Sequence, residues 1–281
     1  MCKKLVLLFF FSFFLFSSFA KERALKEKEE IKISDFEINV LTDFLDSMNW
    51  AYRGSMMQFQ NTENLVFSSF SLLSTLYFIK NDKRISSRAV KKKKNEKLIK
   101  LISDSSIFFN TPVMPMLFYG VGASRKDQKM LTFSKEYFSA MTLALLETGL
   151  ISAIPVHQRP DTKKLSFWEK AFRGQSSFPS GHVIGYSILG FKLFQFYGPR
   201  YAILPFALAF TTGFERVHAE KHFISDVVAS GFISFLASQG VAYASASDKH
   251  HALYKWIFAH NFSLKYMRKK NTPGLITSFS F

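Results

Sequence analysis

The stretch Ser177-Phe178-Pro179-Ser180-Gly181-His182 is the most informative part of this 281-residue chain for both fold and function. An Arg-Pro pair precedes it at Arg159-Pro160, and Arg216, His222 and Asp226 follow it in the spacing R-x5-H-x3-D. By average residue usage, Pro-Ser-Gly-His alone arises by chance in roughly one chain in a thousand of this length. Three such blocks in this order therefore indicate one functional site.

The side chains of these blocks suit phosphoryl transfer without a metal. Arginine forks match phosphate oxygens, one histidine can attack phosphorus, and the other can supply a proton. His222 and Asp226 are four residues apart. On a helix they would share one face, about 40° apart, so that the carboxylate can orient the imidazole ring.

The third block can converge only if the helix is interrupted. Arg216 lies six residues before His222, which on a continuous helix would turn it about 120° away. We therefore predict that Arg216 ends one helix or lies in a turn, and that His222 begins the next. A phosphate gains from a helix N-terminus. The same holds at Ser180-Gly181, before the apolar run from Val183, where glycine allows close backbone approach and the serine hydroxyl can donate.

The three blocks resemble the type-2 phosphatidic acid phosphatase superfamily, which also contains bacterial non-specific acid phosphatases and vanadium haloperoxidases. Its pattern is K-x6-R-P, then P-S-G-H, then S-R-x5-H-x3-D. The second block matches completely. The third has Glu215 where the family usually has serine, and the first has Ser152 where the lysine is expected. The resemblance covers roughly residues 135–245.

The resemblance implies an all-α fold, a helical bundle of the phosphatidic acid phosphatase/haloperoxidase type, with no metal and no cofactor. His222 is expected to attack phosphorus and form a phosphohistidine, His182 to act as general acid and then base, and Asp226 to hold His222. The phosphate is expected to be bound by four residues: Arg159, Arg216, Ser180 and Gly181.

The two departures from the family pattern leave the strength of the site open. Without the family lysine, transition-state binding weakens by roughly 1.5–3 kcal/mol, about ten- to a hundredfold. Glu215 can pair with Arg216 or repel phosphate. The lysines that can replace the missing charge are Lys163, Lys164, Lys170 and Lys221.

Three functions follow as alternatives. The first is a phosphatase acting on a phosphate monoester, either a lipid phosphate such as phosphatidic acid or a small ester. The second is a catalytically impaired family member that binds anionic lipid or phosphate, and the third, less favoured, is a vanadate-dependent haloperoxidase. His218 and His222 have a spacing that suits zinc on a helix, but no third ligand is evident, so no metal site is expected.

The net charge of +16 is concentrated in the lysine-rich segment 80–100 and again near residues 265–270. Such runs are usually solvated surface, with anionic lipid headgroups as the second interpretation. No nucleic-acid partner is expected, because the lysine run has no interleaved aromatic residues. The sequence does not define the oligomeric state.

The N-terminus is typical of a secretory signal peptide over residues 1–20. We expect an N-terminal helical region with a basic connector over 21–105, a phosphatase core over 106–250 and a basic aromatic tail over 251–281, with no β-rich region. Export predicts a periplasmic or membrane location with the site facing outward.

Membrane association is expected, but whether the chain spans a membrane is left open. Several of the apolar stretches are nearer 15 residues long than the about 20 that a span needs. Glu147 and Lys192 interrupt two of them, and charges inside a membrane are costly. These features favour an exported, mainly globular domain over a multispan protein. The stretches are Leu65–Ile79, Ile107–Ala123, Tyr137–Val156, Val183–Tyr197, Tyr201–Phe214 and Val227–Ala244.

Overall fold

The computed structural model of this chain describes residues 38–60, 62–89, 96–156, 158–160, 176–246, 263–269 and 272–278. The expected signal peptide therefore lies outside the described residues, as does most of the segment between Arg159 and the Pro-Ser-Gly-His block.

The described part of the chain is almost entirely helical, as the all-α prediction requires. A 3₁₀ turn, Phe108–Asn110, separates the third and fourth helices. The helices are α1 (Val40–Met57), α2 (Thr62–Ala89), α3 (Glu96–Ser105), α4 (Val113–Arg125), α5 (Gln128–Ser152), α6 (Gly181–Tyr197), α7 (Pro199–His218) and α8 (Ile224–Ala244).

Local sequence explains several helix ends. Asn39 and Asp127 accept a bond from the backbone N–H three residues later, at 3.1 Å and 3.0 Å, and so cap α1 and α5. Gly198 has a φ of 91°, a conformation that favours glycine, and Pro199 then begins α7. The helical hairpin α6–α7 therefore has its turn at the expected Gly-Pro pair.

The core is formed where α5, α6 and α8 meet. Tyr137 and Phe133 of α5, Ile184 and Ile188 of α6 and Val241 of α8 are all buried in one cluster. Each buried large side chain of this kind contributes about 1.5–3 kcal/mol. The core thus holds α6, which begins at the Pro-Ser-Gly-His block, and α8, which contains Asp226, against α5.

The long helix α2 has an inverted polarity. Its buried positions are polar and recur at helical spacing: Asn64, Ser71, Thr75, Asp82 and Ser86. Its exposed positions include large apolar side chains: Leu65, Val66, Phe70, Leu72, Leu73, Leu76 and Tyr77. A soluble helix normally places these classes the other way round.

The segment expected to be a basic connector contains helical structure. Helix α2 continues to Ala89, and α3 covers Glu96–Ser105. Both helices contact the rest of the bundle: Asp82 bonds to Ser225, and Ser103 bonds to Glu215. The many lysines of this segment indicated that it is exposed to solvent. Its buried positions are instead occupied by a few acidic or uncharged residues: Asp82, Ser86 and Ser103.

The helices lie in one compact unit, Asp35–Asp248. The expected boundary near residue 105 stays a prediction. The tail contains a feature that the sequence did not predict, an antiparallel hairpin of β1 (Ser263–Lys269) and β2 (Thr272–Ser278). Ser263 pairs with Ser278, and Lys269 pairs with Thr272.

One helix among the described residues, α8, is long and apolar enough to cross a membrane by length and composition, and 56% of its apolar window is buried inside the protein. The core helix of a soluble protein meets the same criteria, so α8 alone is weak evidence for a span.

Candidate active site

The Pro-Ser-Gly-His block forms the N-terminus of α6. Ser180 is the N-cap and Gly181 the first helical residue, as the sequence predicted. The Ser180 N–H donates to the Asp226 carbonyl at 3.2 Å, and the Ser230 hydroxyl donates to the Ser180 carbonyl at 2.7 Å. These bonds hold the start of α6 against the first turns of α8, and so join the second block to the third.

The third block contains the predicted helix break. Arg216 lies in the last turn of α7, and its carbonyl accepts from the N–H groups of Lys221 at 3.0 Å and His222 at 3.1 Å. These bonds fold the chain back after α7. His222 then lies just before Phe223, the N-cap of α8. The break is confirmed, with His222 outside the second helix instead of within its first turn.

His222 and Asp226 contact each other, although they do not share a helix. Nδ1 of His222 lies 3.1 Å from Oδ2 of Asp226, and the same oxygen accepts from the Phe223 N–H at 2.9 Å. Both side chains are buried. The expected shared helix face was therefore wrong in detail. The turn at Phe223 brings the His222 ring to the Asp226 carboxylate. Because Nδ1 faces this carboxylate, Nε2 is the ring nitrogen that points away from it.

His182 faces the same region from the first turn of α6. Its ring centroid lies 6.5 Å from that of His222, with the two rings inclined by 58°. Its side chain is only partly buried, whereas His222 is 1% exposed. One histidine is thus enclosed and the other is accessible from the exterior.

Arg159 is brought to this site by pairing of the chain on either side of the undescribed segment. Its neighbour Gln158 forms an antiparallel bridge with Ser176, directly before the Pro-Ser-Gly-His block. Arg159 and Arg216 are both buried. Their positive charges both act on the pKa of His222.

Burial lowers the pKa of His222 to about 4. The hydrogen bond and the negative charge of Asp226 oppose this shift, while the positive charges of Arg216 and Arg159 add to it. The imidazole is therefore neutral at physiological pH, which leaves a ring nitrogen with a lone pair for attack.

Two serine hydroxyls of this region are buried with no hydrogen-bond partner among the described residues. They are Oγ of Ser177 and Oγ of Ser180, both on side chains with no exposed surface. A buried hydroxyl without a partner is costly. An anion at the α6 N-terminus would supply the missing acceptor for Ser180.

The family comparison agrees with this arrangement. Residues 137–249 match the model described as the PAP2 superfamily. The match covers about two-fifths of the chain and includes the second and third motif blocks. The resemblance inferred from the three blocks is thereby confirmed from residue 137, within α5, to the end of α8, and helices α1 to α4 lie outside the match.

A solved structure with weak similarity is the crystal structure of the first transmembrane PAP2 type phosphatidylglycerolphosphate phosphatase from Bacillus subtilis. It shares 19% identity, and the alignment covers 74% of this chain and 95% of that one with a TM-score of 0.41. This similarity is too low to transfer a function. No curated protein matches the chain.

Glu215, which replaces the family serine, lies among positive and polar groups. Its Oε2 accepts from the Ser103 hydroxyl at 2.7 Å and lies 3.8 Å from Nη1 of Arg216. Its Oε1 lies 4.0 Å from Nζ of Lys221. Glu215 therefore pairs with Arg216, as one of the two expectations had it. Its negative charge also lies close enough to Arg216 to repel a phosphate bound there, which is the other expectation.

Ser152, at the position of the family lysine, is buried at the end of α5 and donates to the Gly149 carbonyl of its own helix at 2.7 Å. Of the four lysines that can replace the missing charge, Lys163, Lys164 and Lys170 lie outside the described residues. Lys221 lies beside Glu215. Burial is the main cause that lowers the pKa of Lys221, and the positive charge of Arg216 lowers it further. Lys221 is therefore the one of these four lysines whose position near the third block the described residues show.

Three residues that sequence reasoning missed contact the motif blocks from outside the PAP2 segment. Asp82 bonds to Ser225, Ser103 bonds to Glu215, and the Asn110 side chain donates to the Gly181 carbonyl at 3.0 Å. A signal was available for Asp82, because it belongs to a stripe of polar residues that recur at helical spacing along α2.

The structure places six of the predicted site residues at the start of α6, the end of α7 and the start of α8: Ser180, Gly181, His182, Arg216, His222 and Asp226. Arg159 is buried, and its charge acts on the pKa of His222. Within the described ranges, no group of three or more His, Cys, Asp or Glu side chains could hold a metal ion. His218 stacks on Phe214, with ring centroids 5.7 Å apart.

Proposed function

We propose that this protein is a phosphatase that hydrolyses a phosphate monoester without a metal, through a phosphohistidine on His222. The observation that carries the proposal is the buried His222–Asp226 pair at 3.1 Å, beside a second histidine and with two buried arginines whose positive charges act on His222. This constellation supplies a nucleophile, a group that orients it, a proton donor and an anion site.

The first step is attack by Nε2 of His222 on phosphorus. A nitrogen–phosphorus bond forms while the bond from phosphorus to the ester oxygen breaks. Asp226 supports this step, because it fixes the ring orientation and stabilises the positive charge that develops on the imidazole. The low pKa of His222 keeps the attacking nitrogen unprotonated.

His182 is the group proposed to protonate the departing alcohol oxygen. In the second step the same ring removes a proton from water, whose oxygen attacks phosphorus and breaks the nitrogen–phosphorus bond. The 6.5 Å between the two ring centroids leaves room for a phosphoryl group between them.

The proposed phosphate contacts are Arg159, Arg216, the Ser180 hydroxyl and the backbone at Gly181. Their donors, together with the α6 N-terminus, stabilise negative charge that develops on the equatorial oxygens in the transition state. The buried Ser180 hydroxyl, which has no partner among the described residues, supports this role.

A lipid phosphate such as phosphatidic acid is the substrate class that we favour over a small soluble ester. The inverted polarity of α2 supports action at a membrane, because large apolar residues face outward while polar ones are buried. We further propose that the protein is exported and that its site faces outward, in the periplasm or in the membrane, as the N-terminal sequence indicates.

The alternative is an impaired PAP2 protein that binds anionic lipid or phosphate without turnover. The observations in its favour are the carboxylate of Glu215 at 3.8 Å from Arg216 and the serine at position 152. The vanadate-dependent haloperoxidase has no further observation in its favour.

The test is phosphate release by protein lacking residues 1–20, with phosphatidic acid and a chromogenic phosphate ester as substrates, each with and without EDTA. His222→Ala is compared with His218→Ala, a matched control that stacks on Phe214 and has no proposed catalytic role. We expect activity that EDTA leaves intact, that His218→Ala retains and that His222→Ala loses. Phosphate or lipid binding without turnover by folded wild type would support the impaired alternative instead.

A further inference from the structure

Helix α2 carries a carboxylate to the turn that holds His222. Oδ1 of Asp82 accepts from the Ser225 N–H at 3.1 Å, and Oδ2 accepts from the Ser225 hydroxyl at 2.5 Å. Asp82 is 4% exposed and Ser225 is fully buried. A buried carboxylate with two bonds to one residue of another helix is a specific, desolvated contact.

The position of Ser225 gives this contact its importance. Ser225 belongs to the first turn of α8, where backbone N–H groups have no partner within the helix. It lies between His222 and Asp226 in the sequence. Asp226 binds His222 and the Phe223 N–H from inside this turn, while Asp82 binds the same turn from another helix.

Two other contacts follow the same pattern. Ser103 of α3 bonds to Glu215, next to Arg216, and Asn110 of the 3₁₀ turn bonds to the carbonyl of Gly181. Each comes from the part of the chain before residue 137, where the PAP2 match begins. The region whose function the motifs left undefined therefore touches both the Pro-Ser-Gly-His block and the R-x5-H-x3-D block.

The close packing of Asn110 and Phe109 against α6 requires a glycine at position 185. A Cβ atom on Gly185 of α6 would lie 2.8 Å from the Asn110 side chain and 2.8 Å from Phe109. Glycine at this position therefore allows the 3₁₀ turn to pack directly on α6. The 3₁₀ turn of the N-terminal region therefore packs against the backbone of α6, the helix that begins at the Pro-Ser-Gly-His block.

We propose that Asp82 is a positioning residue for His222, an assignment that rests on the function proposed above. It fixes the first turn of α8, and through that turn the distance and angle between the His222 ring and the phosphate. It touches neither the substrate nor the reacting atoms. Its removal therefore lowers turnover, while Arg159 and Arg216 still bind the phosphate and KM changes little.

The test uses four variants of the full chain: Asp82→Ala, Asp82→Asn, Ser225→Ala and the double variant Asp82→Ala/Ser225→Ala. Asp82→Ala is expected to lower kcat about 10- to 100-fold, as small misplacements of reacting groups do. KM is expected to stay within about threefold, because a positioning defect acts on the transition state and not on ground-state binding. Asp82→Asn keeps the size and one acceptor, so its loss is smaller.

Ser71→Ala is the matched control. Ser71 is buried on the same face of α2, and among the described residues its hydroxyl bonds to the Phe67 carbonyl of its own helix, at 2.7 Å. Its kcat should remain within about twofold of wild type. The effects of Asp82→Ala and Ser225→Ala on kcat should be non-additive, because the two side chains contact each other. Folded Asp82 variants with unchanged kcat would overturn the proposal.

A second readout separates this proposal from the function itself. The imidazole proton resonances of His222, assigned with His222→Asn, report the ring environment whether or not the protein is an enzyme. They should shift in Asp82→Asn and stay in place in Ser71→Ala. If wild type releases no phosphate, the proposed function fails, and these resonances still decide the role of Asp82: a shift specific to Asp82→Asn supports it, and unchanged resonances refute it.

Discussion

Lys192 Nζ lies 2.8 Å from Glu136 Oε2, and neither side chain has any exposed surface. The same ammonium group donates to the Ser238 carbonyl at 2.9 Å, and Oε1 of Glu136 accepts from the Ser245 hydroxyl at 2.7 Å. This buried network joins α5, α6 and α8, the helices that form the core beneath the site. Its charges are compensated within the protein.

Removal of one partner of this pair should destabilise the fold. Glu136→Leu leaves the Lys192 ammonium buried without its counter-charge, which typically costs about 3–5 kcal/mol. Glu136→Leu/Lys192→Met should recover most of the loss, because an apolar pair replaces the ion pair. Chemical unfolding measures both values, with Lys97→Met, at an exposed position of α3, as a control. A double variant no more stable than Glu136→Leu would contradict this account.

Asp226→Asn should separate orientation of His222 from substrate binding. The amide can keep contacts in the α8 turn but cannot stabilise the charged imidazole, so kcat should fall about 10²- to 10⁴-fold, with a smaller change in KM. Steady-state kinetics on the favoured substrate measures the split. A large rise in KM with unchanged kcat would show that Asp226 acts on binding instead.

The buried His222 predicts a specific dependence of stability on pH. Its pKa is lowered from 6.5 to about 4 on folding, so between these values the unfolded state binds more protons than the folded state. The stabilisation linked to neutral His222 is present above about pH 6.5 and is lost as the pH falls toward 4, by at most ~3 kcal/mol. Unfolding free energies at pH 4 to 7 measure this slope, which His222→Asn should reduce. An equal slope in both proteins would refute the assignment.

Glu215→Gln should strengthen phosphate binding. The variant keeps an acceptor for the Ser103 hydroxyl but removes negative charge that lies 3.8 Å from Arg216. The Kd for inorganic phosphate or vanadate should fall about three- to tenfold, an effect that high salt weakens. Calorimetric titration at low and high salt checks both statements. Weaker binding by Glu215→Gln would mean that Glu215 holds Arg216 in its binding position.

The sequence predicted the parts of the site that depend on neighbours in the chain. The six-residue separation of Arg216 and His222 required a helix break, and glycine after Ser180 predicted a helix N-terminus. Both features are present. The contact of His222 with Asp226 was also predicted, but it was expected to come from a shared helix face. It comes instead from the turn at Phe223, which depends on hydrogen bonds from the Lys221 and His222 N–H groups to the Arg216 carbonyl.

The parts that the sequence did not predict depend on contacts between distant residues. From the sequence, Lys192 is an unfavourable charge within an apolar stretch. The structure gives it a partner, because its ammonium group donates to Glu136, which lies 56 residues earlier in the chain. Asp82 lies 143 residues before Ser225, within a lysine-rich segment that composition assigned to solvent. A single sequence shows the spacing of residues along one helix, but not which other helix its polar face will meet.

The central claim is that His222 becomes phosphorylated during turnover, and rapid-quench trapping with a ³²P-labelled substrate tests it most directly. We predict a transient protein-bound phosphate that is labile to acid and stable to base, that maps to the peptide containing His222, that persists in the presence of EDTA and that is absent from His222→Ala. Turnover without a protein-bound phosphate, or the same label in His222→Ala, would contradict the account.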